Sequence, residues 1–300
     1  MSEIRKAFTS RFTNGLLLEL DFSHLEIYAL ADLSKDKTLQ ADLLSGKDLH
    51  GISAEMLFGK SYTLAQRKIA KQLSFQLQYG AGHKSMAERN GINPELAKAF
   101  IEKYYTRYSG VAAYHDALIA TVAANRRPST HRTKNGLPAG KSSLVTSTGR
   151  IFTFTEEDSP PWMSREEVTF SPTKAKNYPC QGYATGDIVP LVLGKLHRYL
   201  MNSGGGDLSE LALMVNTTHD SVLFDCSDES VVYDWAPTAK KIMESAPSYL
   251  KERFNIDFFT PVLPVGVTVG PNWYDMHDWP APGRAGAGAR LALAKYGKDE

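Results

Sequence analysis

The first strand-like segment of the chain stands alone. Leu16-Leu17-Leu18-Glu19-Leu20, a short apolar run after Asn14-Gly15, reads as a buried strand ending at Asp21. For the next hundred residues apolar positions recur at helical spacing, over 25–33, 37–44, 48–58, 63–79, 94–107 and 110–124, with Thr63 placed to cap the helix over 63–79. Strand patterns return near 143–147 and 150–155, a hairpin around Thr148-Gly149, and at 211–217 and 222–226, a hairpin with His219-Asp220 at its tip. A helix over about 180–201 ends at Ser203-Gly204-Gly205-Gly206, and a helix over 230–246 and a strand over 262–269 follow. Residues 126–142 and 156–171 read as loops, and 279–296, rich in Ala, Gly, Pro and Arg, as a peripheral tail. The first strand must therefore find partners from the far end of the chain. This order predicts an α+β fold: an antiparallel sheet assembled from both ends, helices packed on one face, and a mostly helical insertion at about 37–125.

Composition narrows the function classes. Hydrophobic residues make up 42% and charged residues 22%, the profile of a folded globular protein. With 34 Lys and Arg against 33 Asp and Glu, no basic field covers the molecule, so a nucleic-acid site has to be a local stripe. Cys180 and Cys226 cannot form a disulfide scaffold or a four-thiolate zinc site and read as small buried residues. His83, His115, His131, His197 and His277 show no metal spacing. There is no apolar stretch of spanning length and no signal core after Met1, so the expectation is a soluble, cytoplasmic protein.

Three places could carry chemistry. Asp21 is a carboxylate at the rim of a sheet; alone, such an aspartate serves more often as a helix N-cap. Arg67, Lys71, Phe75 and Tyr79 recur every four residues before Gly80, so on a helix they form one slowly spiralling stripe of two cations and two rings. Ile69, Leu73 and Leu77 supply a separate face for the core, which leaves the stripe for a ligand. Cations match phosphates, and flat rings match a sugar and bases. Asp220, in Thr218-His219-Asp220-Ser221, could serve the turn alone, but a carboxylate at the tip of a buried hairpin also suits a metal ligand. Two carboxylates held together repel, and divalent cations, Mg²⁺ among them, reconcile them.

These residues resemble the motifs of the family A DNA polymerases. Asp21-Phe22-Ser23-His24-Leu25-Glu26 looks like motif A, Arg67-x3-Lys71-x3-Phe75-x3-Tyr79-Gly80 like motif B, the O helix of the fingers, and His219-Asp220-Ser221 like motif C. Ile4-Arg5-Lys6-Ala7-Phe8, Gly46-Lys47-Asp48-Leu49-His50, Asn177-x3-Gln181-Gly182 and Gly270-Pro271-Asn272-Trp273 resemble further family segments in the same order. The resemblance runs from about residue 4 to 274. It implies an antiparallel palm sheet with packed helices plus a mostly helical fingers subdomain: palm over 1–36, fingers over 37–125, palm again over 126–274, and a tail over 275–300.

The resemblance also implies roles. Asp21 and Asp220 would hold two Mg²⁺ ions for nucleotidyl transfer from a dNTP to a primer 3′-hydroxyl. Arg67, Lys71 and His50 would bind the triphosphate. Phe75 would pack on the incoming sugar and base, Tyr79 would sit by the template base, and Glu26 would lie under C2′ and exclude ribonucleotides. Asn177, Gln181 and His219 would touch the DNA primer-template. Closing of the O helix over the nucleotide would complete the site.

Departures qualify this pattern. The chain has His24 where the family usually has Gln, Ser221 where it often has Glu, and Thr173 where it has an Arg four residues before Asn177; Lys174 or Lys176 is the candidate replacement. The family's thumb, an upstream exonuclease or exonuclease-like domain and an early palm segment do not fit ahead of Ile4. The expectation is a palm-and-fingers portion only, the C-terminal polypeptide of a split phage polymerase whose partner chain supplies thumb and exonuclease, acting in the host cytoplasm. Two alternatives stand beside it. A single-subunit RNA polymerase-like enzyme is opposed by Glu26, and a non-catalytic nucleic-acid-binding relic by the joint retention of Asp21, Asp220, Arg67 and Lys71.

Overall fold

The computed structural model describes residues 3–160, 167–202 and 208–279. The chain divides into two compact units, one built from both chain ends (to Leu25 and from Ala184) and one running from Glu26 to Tyr183. In chain order the elements are β1 (Leu16–Phe22), α1 (Leu25–Ser34), α2 (Lys37–Leu44), α3 (Leu49–Phe58), α4 (Leu64–Gln78), α5 (His83–Asn90), α6 (Pro94–Arg107), α7 (Ser109–Ala124), β2 (Lys141–Val145), β3 (Ile151–Thr155), β4 (Glu157–Asp158), β5 (Val168–Thr169), α8 (Pro172–Gln181), α9 (Val189–Asn202), α10 (Leu208–Leu211), β6 (Ala212–Thr218), β7 (Ser221–Cys226), α11 (Glu229–Glu244), α12 (Ala246–Phe254), β8 (Val265–Gly270) and β9 (His277–Asp278). A 3-10 turn (Glu3–Ala7) precedes β1, and a π-helical segment (Gly182–Ile188) links α8 to α9.

The two-ended unit is built on a five-stranded antiparallel sheet in the order β6-β7-β1-β8-β9. The isolated first strand thus becomes the centre of the sheet, with partners from residues 221–226 and 265–270. Its alternation sends Leu18 and Leu20 to one face, where Phe224, opposite Leu18, meets the edge of the fully buried Trp235 of α11 at 5.4 Å. Tyr199 of α9 stacks on the same indole at 5.7 Å. The second face is covered as well, which the sequence reading does not anticipate. Leu17 and Leu223 bury against Trp273, and Phe8 and the Arg5 guanidinium pack on that indole at 5.7 and 4.2 Å.

The unit from Glu26 to Tyr183 is mostly helical. Its helix starts are set by side-chain caps: Asp36 for α2, Asp48 for α3, a Thr63–Gln66 capping box for α4, Asn93 with Pro94 for α6, and Ser171 with Pro172 for α8. The β2–β3 hairpin packs on α7 and α8 through Val122, Phe154 and Ala175.

Several boundaries differ from the sequence reading. The helical run expected from about 180 begins at Pro172. Pro172 sits at the N-terminal position where its missing N–H costs nothing, and the helix carries Pro179 in its last turn before a π segment begins at Gly182. Helices α5 and α12 have no counterpart of their own in the sequence reading, and the expected loop at 156–171 contains the short β4–β5 ladder. The Ser203–Gly206 break, and all of the tail beyond residue 279, lie outside the described residues. No helix among the described residues is long and apolar enough to cross a membrane.

Candidate active site

In the sheet unit, Asp21 is the penultimate residue of β1 and the exposed position of an otherwise largely buried strand. Across one edge it faces Ser221, and across the other Gly266, which has no side chain and leaves that flank open. Asp220 is the second residue of the two-residue β6–β7 loop. His219 takes the left-handed φ of +56° that such a turn needs in its first position. The Ser221 hydroxyl donates to the Thr218 carbonyl at 3.1 Å and closes the turn, and the Phe22 amide donates to the Asp220 carbonyl at 3.3 Å. These bonds fix the hairpin tip against the end of β1. The Asp21 and Asp220 carboxyls, 199 residues apart in sequence, lie close enough to influence each other's titration. Partial burial, and then the nearby Glu19 charge, raise the Asp21 pKa above the ordinary aspartate value, while the Asp220 side chain opposes that rise. His24, just beyond β1, also has positive φ, at +60°. Both motif loops thus turn through a left-handed histidine, a conformation seldom used outside glycine. Among the described residues, no group of three or more His, Cys, Asp or Glu forms a ready metal cage.

The helical unit carries the stripe. On α4 the buried face is Ala70, Leu73, Ser74, Leu77 and Gln78, with Ile69 only partly covered, so Arg67, Lys71, Phe75 and Tyr79 lie off the core-facing side. The Arg67 fork donates through Nε and Nη2 to the two carboxylate oxygens of Asp48, both at 2.7 Å. This guanidinium holds the Asp48 carboxyl down at about 2. Asp48 also caps α3 by accepting from the His50 amide at 3.1 Å. The His50 ring is buried and tilted against Phe75 at 5.6 Å, and Lys71 Nζ lies 5.7 Å from the same Phe75 ring. Tyr79, at the C-cap of α4, donates its hydroxyl to Glu26 at 2.7 Å. Gly80 then turns the chain at φ +73°, with Thr173 so close that an added Cβ would lie 2.9 Å from its Cα; the Thr173 hydroxyl donates to the Gly80 carbonyl at 3.0 Å.

On α8, Asn177 donates to Gln181 at 3.3 Å. Of the two lysines proposed to replace the missing arginine, Lys174 is engaged by Glu157, and Lys176 lies over the Tyr105 ring, its pKa lowered by burial. An open cavity of about 630 Å³ adjoins the end of α4, lined by Tyr79, Gly82, His83, Lys84, Arg89 and Thr173.

The structure therefore joins Asp21 to Asp220 in one unit, and His50 to Phe75 and Tyr79 to Glu26 in the other. Sequence reasoning assigns no role to Asp48 or Gly266. Asp48 appears there only within the segment Gly46–His50, and Gly266 needs the strand register.

The family model described as "DNA polymerase family A" matches residues 1–275. The chain belongs to DNA polymerase family A. Among curated relatives of this family A chain, DNA polymerase I of Chloroflexus aurantiacus is 28% identical over 277 residues, covering 91% of the chain and 26% of the relative. DNA polymerase I of Helicobacter pylori is 37% identical over 111 residues, covering 37% and 12%. The chain thus spans about a quarter or less of these relatives' length. Among solved structures, the POL domain of Pol1 from M. smegmatis, in complex with DNA primer-template and dNTP, matches with a TM-score of 0.65 at 24% identity, over 90% of the chain and 42% of that domain. At that identity the likeness speaks for the fold: α+β, with an antiparallel palm sheet and a helical fingers portion.

Proposed function

We propose that this family A chain carries the nucleotidyl-transfer site of a DNA-templated DNA polymerase, adding dNTPs to a primer 3′-hydroxyl and releasing pyrophosphate. The observation that carries the reading is the close placement of Asp21 and Asp220 at the rim of an antiparallel sheet. The primer-template and dNTP bound by the structural neighbour support the same ligands here.

Mg²⁺ fits this pair. The donors are hard carboxylate oxygens, Asp21 is partly desolvated, and a divalent cation relieves their repulsion. Mg²⁺ commonly takes one or two carboxylates and completes its shell with water and substrate phosphates. When bound, two such ions would lower the pKa of the primer hydroxyl and stabilise in-line displacement at the α-phosphate.

The remaining work falls to the chain's own side chains. Arg67, Lys71 and His50 bind the triphosphate, and the two cations neutralise charge on the leaving pyrophosphate. Phe75, steadied by the His50 ring, packs on the incoming sugar and base. Glu26, held by the Tyr79 hydroxyl, lies under C2′ and rejects a ribose hydroxyl. Tyr79 stands by the template base, and Asn177, Gln181 and His219 contact primer-template. In this reading residues 1–36 and 126–274 are palm and 37–125 fingers.

Primer extension on a DNA template tests the proposal, with dNTPs against rNTPs and with and without Mg²⁺. Mg²⁺-dependent dNTP addition is expected. No extension under any of these conditions overturns the reading in favour of a binding relic, and equal use of rNTPs overturns the role of Glu26. Phe75 makes a finer prediction. Its ring offers nothing to replace a missing 3′-hydroxyl, so dideoxynucleotides should be poor substrates. Phe75→Tyr is expected to relax that discrimination by at least about tenfold, the worth of one added hydrogen bond. Equal chain termination by mutant and parent would refute the placement of Phe75.

A further inference from the structure

Between Asp116 and Glu156 the sequence carries six Lys and Arg residues (Arg126, Arg127, Arg132, Lys134, Lys141 and Arg150), as well as His131, and not one carboxylate. The whole chain is only +1, so everything outside this stretch is net negative. Here is the local stripe that overall composition hides.

The stretch is not a loose loop. Its backbone folds back on itself as a narrow arm. Arg127 and Lys141 exchange amide-to-carbonyl bonds at 2.7 and 2.9 Å, the Ala139 amide donates to the His131 carbonyl at 3.0 Å, and the Thr133 amide donates to the Leu137 carbonyl at 2.9 Å. The base of the arm is pinned by Glu156, which takes a two-pronged bond from Arg126 at 2.7 and 2.9 Å and accepts from the Gly140 amide. Its tip is pinned by Asp158, which accepts from the Thr133 hydroxyl and, at 3.1 Å, from the Asn135 amide. The arm continues into β2–β3, which is bolted to α8 by Phe154 stacked on Tyr178 at 5.9 Å.

Of the nearby carboxylates, Glu156 is paired with Arg126, Glu157 with Lys174, and Asp158 holds neutral groups at the tip. Arg126 is neutralised, but among the described residues Arg127, Arg132, Lys134 and Lys141 take part in no ion pair, and all four are exposed. Arg132 donates only to the Gly136 carbonyl, at 2.7 Å. Like charges held on a rigid support repel, and the arrangement costs free energy unless a polyanion offsets it. From 127 to 134 the arm extends about 20 Å at strand rise, enough to meet several phosphates of one duplex. No Phe, Tyr or Trp lies among these cations, which leaves His131 as the one ring that could stack on an unpaired base and favours backbone contact over single-strand stacking.

We infer that the arm over residues 127–141 grips the phosphate backbone of duplex DNA, independently of sequence, through Arg127, Arg132, Lys134 and Lys141. This deepens the polymerase reading and rests on it for the choice of DNA as the polyanion. It gives a chain of near-zero net charge a way to hold its primer-template.

The test is fluorescence anisotropy of a labelled primer-template duplex with the full 300-residue chain, without dNTP, over a salt series. Arg127→Ala/Arg132→Ala/Lys134→Ala is expected to lower the slope of log K against log salt by roughly 2 to 3 units, and to weaken binding about 10- to 100-fold near physiological salt. The loss should be the same on a duplex of unrelated sequence. A control removing equal charge elsewhere, Lys241→Ala/Lys251→Ala/Arg253→Ala, is expected to keep the parent slope. An unchanged slope in the arm variant, an equal change in the control, or no duplex binding by the parent overturns the inference. A protein partner lost by the arm variant while its duplex binding stays intact overturns it too. Failure of the polymerase reading would look different: no primer extension, with salt-dependent duplex binding through the arm still present.

Discussion

Asp21→Asn and Asp220→Asn are each expected to lower templated dNTP addition by about a thousandfold or more, and Asp21→Asn to leave the fold at least as stable as before. The first half follows from chemistry. An amide is nearly the same size as a carboxyl but carries no charge, so it loses the divalent cation that the reaction is proposed to need. The second half follows from proton linkage. The Asp21 pKa is raised in the folded chain, by partial burial first and then by Glu19. A raised carboxyl contributes its stability fully below the unfolded value, about 3.9, and loses it as pH rises through the folded value. At neutral pH ionised Asp21 therefore works against folding, and an amide, neutral at every pH, removes that cost. Thermal melts at pH 7 should show the Asp21→Asn variant melting at or above the parent, whereas toward pH 3 the difference should shrink. Added Mg²⁺ should raise the parent melting temperature and leave the two amide variants unmoved, because only the parent offers the paired carboxylates. An amide variant that unfolds, or that extends primers at the parental rate, would make Asp21 a structural residue.

What the sequence can reveal depends on how local each signal is. β1, the β6–β7 hairpin and α4 are legible because a short apolar run, a two-residue turn and a four-residue period are written within a few residues. The pairing of Asp21 with Asp220 is inferable only because both aspartates end strands that one sheet has to gather. Elements that lean on tertiary support are hidden. α5 (His83–Asn90) buries only Met86 and Ala87, too few for a period to show. α8 contains two prolines, normally breakers; Pro172 falls at the tolerated first turn after the Ser171 cap, and Pro179 near the helix end. Trp273 carries no sign that it will cover the second face of the sheet, because its partners Leu17 and Leu223 lie in distant strands. The cationic arm reads as a loop, since its ladder runs through isolated pairs rather than through a strand-forming sequence. Asp48 is the clearest case. A cap is a local signal, but its second partner, Arg67, sits 19 residues away on another helix.

That contact sets up the second large effect. Arg67→Ala is expected to weaken dNTP binding about 10- to 100-fold, the worth of charge-assisted bonds to a phosphate, and Asp48→Asn is expected to strengthen it severalfold. In the nucleotide-free chain Asp48 occupies Nε and Nη2 of the Arg67 fork. A triphosphate must settle for the remaining nitrogen or displace the carboxylate, and in either case it meets a like charge. The Asp48→Asn side chain would keep the cap on α3, a position where asparagine serves as well as aspartate, so His50 should stay in place and the melting temperature should change little. Since the fork and Asp48 are both largely exposed, the lost pair should also cost little stability. The pH dependence has a definite sign. The Asp48 pKa is lowered to about 2, chiefly by the Arg67 bond, so the stability of the pair is fully present above about 4 and is lost only as pH falls toward 2. The ratio of parent to Asp48→Asn dNTP affinity should therefore be flat from about pH 6 to 8, which separates this effect from any titration of histidine. The double variant should resemble Arg67→Ala, because once the fork is gone Asp48 competes for nothing. Nucleotide titrations of the four proteins would decide between two roles for one carboxylate. If Asp48→Asn weakens binding as Arg67→Ala does, Asp48 aims the guanidinium at the phosphate; if it tightens binding, Asp48 holds the place the phosphate takes.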